Sequence, residues 1–134
     1  MIRALASLLL ALPAAAPAGG APPPIRHDAA GAERELRLYG EAVEAFDQAI
    51  RIEPRDAGSW YNRGLALHEM GRFGDAVSSF DQVTTMDPGN AHAWFRKALA
   101  LSSLGRDEEA ADALDRVIQL DPGNHEPWYR LGEI

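Results

Sequence analysis

From Asp28 onward, polar and apolar positions follow the period of a helix, and the pattern itself recurs. Trp60, Trp94 and Trp128 stand 34 residues apart (94 − 60 and 128 − 94). Cut in that register, units 57–90 and 91–124 agree at 14 positions, the mark of stacked supersecondary units rather than one closed core. In the first half of unit 57–90, Trp60, Gly64 and Leu67 fall at i, i+4 and i+7. Ala76, Phe80 and Val83 repeat that spacing in the second half. Each half therefore predicts an amphipathic helix whose apolar stripe meets the other's, so a unit is an antiparallel helical hairpin.

The punctuation agrees with this reading. Gly71 and Gly105 fall where the first helix of a unit should end, and glycine best tolerates the left-handed position after a helix. The second helix should stop before Pro54, Pro88 or Pro122, because the residue preceding proline is pushed out of the helical region and proline has no amide hydrogen. Asp56, Asn90 and Asn124 then stand ready as N-caps of the next helix. Gly64, Ala98 and Gly132 in the first helices, and Ala42, Ala76 and Ala110 in the second, are small where two backbones must approach. The opening unit, 28–56, is degenerate: Gly40 to Ile52 reads as a second helix, but Arg26 and Ala30 occupy the Trp and Gly positions of the helix expected before it. A partial unit, 125–134, ends inside a first helix.

Trp at the fourth position of the unit, Gly or Ala at the eighth, Leu at the eleventh, Ala at the twentieth, Phe46, Phe80 or Leu114 at the twenty-fourth and Pro at the thirty-second together resemble the tetratricopeptide repeat. The resemblance implies an all-α fold, a right-handed superhelical stack of antiparallel helix pairs. It further implies that the first helices line a concave groove that binds a protein or peptide ligand. Transferred position by position, the groove would present Tyr61, Asn62, Leu65 and His68, then His92, Phe95, Arg96 and Leu99, then Tyr129 and Arg130. Gly58, Glu69, Ser102, Ser103 and Glu126 fall on the same faces. Asn62 and Arg96 stand where some members of the family hold a chaperone peptide's terminal carboxylate, but His92 replaces the expected Lys, and His27 and Gly31 stand at the other clamp positions.

Composition narrows the function. The formal charge of −7, from 20 acidic and 13 basic residues, argues against nucleic acid and anionic membrane surfaces as partners. A partner steered by this surface should carry basic segments. Without cysteine, disulfides, thiolate metal sites and thiol nucleophiles are excluded. His27, His68, His92 and His125 include no i, i+4 pair of metal-ligand type, and neither a phosphate loop nor a nucleophile elbow is present. The expectation is no metal, no cofactor and no enzyme. At the N-terminus, Arg3, the apolar run Ala4 to Leu12 and the small-residue site Ala16-Pro17-Ala18 read as a secretory signal over 1–18, too short to span a bilayer at about 20 residues. Residues 19–27, rich in Pro and Gly, read as a linker, leaving 28–134 as the repeat domain of an extracytoplasmic protein (periplasmic, cell-surface or secreted) with no stable membrane insertion once the signal is cleaved. An alternative role is a self-assembling element or truncated repeat protein that forms a homo-oligomer through the incomplete last unit.

Overall fold

In the computed structural model, residues 29–133 are described; the expected signal, linker, Asp28 and Ile134 lie outside them. Six helices follow one another among the described residues: α1 (Ala29–Ile52), α2 (Ala57–Glu69), α3 (Phe73–Met86), α4 (Ala91–Ser103), α5 (Asp107–Leu120) and α6 (Glu126–Glu133). Each packs on its neighbours in the chain, and α2 also touches α4. The fold is the expected right-handed superhelical stack of antiparallel helix pairs, α2 with α3 and α4 with α5.

The turns inside each pair are set by glycine. Gly71 (φ 77°) and Gly105 (φ 74°) adopt the left-handed conformation. Around Gly71 its own amide donates to His68 O and that of Arg72 to Leu67 O, both at 2.9 Å. Gly105 and Arg106 repeat the arrangement on Ser102 O and Leu101 O at 3.0 Å. These bonds satisfy carbonyls that a helix end would otherwise leave open. In the opening unit the equivalent residue is Arg37, which has no such conformational licence, and the chain stays helical through it. The degenerate unit is therefore one continuous helix, α1, and not the two helices its sequence register suggested.

Caps also depart from the sequence pattern in two places. Asn90 caps α4 as expected, its side chain accepting from Ala93 N at 3.1 Å. Asp56 makes no side-chain cap bond and instead accepts the Ser59 hydroxyl at 2.5 Å. Asn124 lies one residue outside the cap position of α6, where it accepts from Glu126 N at 3.1 Å.

Between the helices of a pair, packing is decided by size. Phe80 of α3 is fully buried, and its ring lies directly over Gly64 of α2. A Cβ at Gly64 would stand 2.6 to 2.9 Å from three ring atoms, closer than carbon atoms approach. The next pair solves the same problem differently, with Ala98 facing the smaller Leu114 in one buried cluster. Units are then joined by a ladder. Arg63 Nε meets Asp47 at 2.7 Å and Lys97 Nζ meets Asp81 at 2.7 Å, so each first helix is tied to the second helix before it. Leu131 stands at the next rung and packs against the Ala98–Leu114 cluster instead.

Gly64→Ala is expected to cost about 1–3 kcal/mol of unfolding free energy, the usual penalty for overpacking. In a Phe80→Leu background the cost should fall below about 1 kcal/mol, because the two residues are in direct contact and couple. Urea denaturation of the four variants measures this; an equal cost in both backgrounds would show that the ring is not the obstacle.

Candidate functional site

The residues expected in the groove fall into two depressions and a set of packing roles. Near the N-terminal ends of α2 and α4, Gly58, Tyr61 and His92 border a recess of about 260 Å³ with Ala57 and Asn90. Towards the opposite ends, His68, Leu99 and Arg130 line a cavity of about 350 Å³ between α2, α4, α5 and α6. Ser102 and Ser103 share that cavity. Asn62, Leu65, Phe95, Arg96 and Tyr129 border neither one. Leu65 and Tyr61 are partly spent on the core, with Tyr61 meeting Phe80 edge-on at 5.7 Å between centroids. Phe95 packs against the second cluster. Arg96 is exposed, and Tyr129 is 66% exposed beside Trp128 at 56%.

Four further residues line the larger cavity: Ala98 and Leu114, which the repeat pattern marks only as packing positions, and Asp107 and Glu133. Asp107 begins α5, where a negative charge suits the helix dipole. Its place in the cavity follows from comparing units. In the first unit, His68 and Phe73 meet edge-on, with ring centroids 5.0 Å apart. Thirty-four residues later the same two positions hold Ser102 and Asp107 (68 + 34 and 73 + 34). Two rings are thereby replaced by two small polar side chains, and space opens where the first unit is filled.

The electrostatics of the cavity are uneven. Arg130 is held by Glu126 at 3.1 Å and by Glu133 at 3.4 Å. The Asp107 carboxylate is exposed and has no ion-pair or hydrogen-bond partner among the described residues. His68 Nε2 is enclosed and likewise has no hydrogen-bond partner. Burial pushes the His68 pKa below 6.5, Glu69 opposes this, and Arg96 adds to it. On α1, outside the cavity lining, burial together with Glu69 and Glu35 raises the Tyr39 phenol above its ordinary value.

On the opposite side of the first helices the tryptophans serve the turns. Trp60 Nε1 donates to Pro54 O and Trp94 Nε1 to Pro88 O, each at 2.9 Å. Lys97 and Arg116 lie over Trp94 at 5.1 and 5.9 Å. These side chains are occupied with one another, in contrast to the open polar groups across the helix.

Comparison with known proteins agrees with the architecture. A family described as Tetratricopeptide repeat matches residues 69–125, and one described as TPR repeat matches residues 33–71. No curated protein gave a match. Among solved structures, the first TPR of Spaghetti (RPAP3) bound to the HSP90 peptide SRMEEVD is 23% identical with a TM-score of 0.68, over 76% of this chain and 82% of that one. The second TPR domain of human RPAP3, in complex with the HSP70 peptide SGPTIEEVD, is 24% identical with a TM-score of 0.68, over 75% of this chain and 83% of that one. MamA is 23% identical with a TM-score of 0.70, over 81% of this chain, which spans 64% of the length of MamA.

A neutral imidazole in the folded state and a proton-binding one in the unfolded state make stability depend on pH. The contribution of His68 is fully present above about pH 6.5 and is lost as pH falls from there towards its lower folded value. Melting temperatures taken at about pH 7.5 and about pH 5.5 should therefore drop less in His68→Gln than in the parent. The same drop in both would remove the assignment.

Proposed function

Because the chain carries tetratricopeptide repeats whose first helices share a concave face, we propose that it is a protein-interaction module that holds a segment of polypeptide on that face. The observation that carries this reading is the 350 Å³ cavity, where an apolar floor of Leu99 and Leu114 meets polar groups, among them His68, whose Nε2 has no hydrogen-bond partner, and the exposed side chain of Asp107. A few polar groups around an apolar floor are what a ligand site offers. The RPAP3 domains, which share the fold, are described with peptides bound, and this supports a peptide as the kind of ligand. The groove positions expected from sequence, Tyr61, Asn62, Leu65, His68, His92, Phe95, Arg96, Leu99, Tyr129 and Arg130, belong to this proposal, with Ala98, Ser102, Asp107, Leu114 and Glu133 added. The role is binding and not catalysis. Arg3, the apolar run after it and Ala16-Pro17-Ala18 support an exported protein, with its partner outside the cytoplasm.

A second reading rests on α6, where Trp128 and Tyr129 lie exposed side by side. Adjacent exposed aromatics suit an interface, and self-association through α6 would bury them. Light scattering of the full chain should then show a dimer or larger species that Trp128→Ala with Tyr129→Ala returns to monomer; a strict monomer at high concentration removes this reading.

The main reading is tested by selecting a random dodecapeptide display library on the full chain and on Ser102→Arg. Ser102 is exposed on the cavity wall, so the arginine fills the cavity without removing a packed side chain. Peptides that bind the parent should lose about tenfold or more in affinity to the variant, roughly 1.4 kcal/mol. Peptides held equally by both forms would place binding elsewhere.

A further inference from the structure

We propose that the cavity between α2, α4, α5 and α6 receives the side chain of a lysine or arginine from the bound polypeptide. This rests on the reading of the concave face as a peptide site and adds the chemistry of one subsite.

The first unit shows what the position looks like when closed. There His68 and Phe73 fill it with two rings. In the second unit Ser102 and Asp107 stand at the same two positions, and the cavity they help to line, about 350 Å³, is roughly ten times a water molecule's share of liquid volume. That is room for one long side chain.

Charge decides which one. Two carboxylates, Asp107 and Glu133, face a single cation, Arg130. That cation is already shared between Glu126 and Glu133, whereas Asp107 has no ion-pair partner among the described residues. An incoming carboxylate would meet Asp107 and Glu133, and the cation among the lining residues, Arg130, is already paired, Arg96 standing outside the lining, whereas an ammonium or guanidinium would complete an ion pair. Burial lowers the His68 pKa, so this side chain adds less positive charge to the cavity wall. Leu99, Leu114 and Ala98 form an apolar track for the aliphatic stem, which lysine and arginine bury while the charged head stays among polar groups. The chain's formal charge of −7 steers such segments towards it.

The experiment begins from the dodecapeptides selected on the full chain whose binding Ser102→Arg abolishes. Each lysine and arginine in them is replaced in turn by glutamine, and affinities are measured against the parent and against Asp107→Asn, with helix content checked by circular dichroism. The expected result is one basic residue whose replacement costs about tenfold on the parent and little on Asp107→Asn, since the two changes remove the same contact. Cavity-dependent peptides with no such residue, or with equal losses on both proteins, would overturn the basic subsite while leaving the peptide site intact. Failure to select any peptide sensitive to Ser102→Arg would overturn both.

Discussion

Phe80 cannot lie where it does unless position 64 lacks a side chain. With a Cβ at Gly64 the ring would overlap it by several tenths of an ångström at three atoms, and a fully buried ring has nowhere to move in a core packed like a crystal. That contact fixes the separation of α2 and α3. It also anchors Tyr61, which leans on the same ring, and so sets the height of one part of the concave face. Ala98 with Leu114 shows the constraint from the other side: one carbon added to the first helix is matched by a smaller residue on the second.

Stacking of successive units obeys a different set of contacts. Arg63 reaches back to Asp47 while its other nitrogen donates to Ser79 at 2.6 Å, so one guanidinium joins α1, α2 and α3. Lys97 repeats the backward bond to Asp81. Partly shielded pairs of this kind add direction more than stability; what they specify is the register of one hairpin on the next. The tryptophan bonds to Pro54 O and Pro88 O hold the connecting turns in that same register. No contact between distant units is needed, because a repeat of nearest-neighbour interfaces generates the superhelix.

Local rules made most of the fold legible. Gly71 and Gly105 announce left-handed turns, the prolines end second helices, and the small residues at 64 and 98 mark close approaches, since each depends on a few neighbouring residues. The same rules misplace the opening unit, where a periodic pattern was divided although Arg37 supplies no stop. Asn124 fails as a cap because α6 starts one residue later than the register demands. For the candidate site, repeat position puts His68 and Leu99 on one side of the first helices, and both line the cavity. It cannot reveal that Asp107 and Glu133 share a cavity with them, because those residues belong to different helices of different units and meet only after three interfaces have set their angles.

The concave face is specialised by departures from the repeat, and the turn after α4 shows how. Arg72 pairs with Asp75 and Arg106 with Glu109, so the charges at those two positions are matched in both units and leave nothing for a ligand. Between them lie two positions that differ, Phe73 and Gly74 in one unit and Asp107 and Glu108 in the other, and at the first of these Asp107 lines the cavity. A ring there closes the space beside His68. A carboxylate at the corresponding place opens the neighbouring space and brings a charge that the adjacent arginine, committed to Glu109, does not neutralise. Packing positions shared by the units thus keep the scaffold constant, while two positions change from a pair of touching rings to Ser102 and an unpaired acid, Asp107. Recognition in such a stack is set by the positions where one unit stops copying the other.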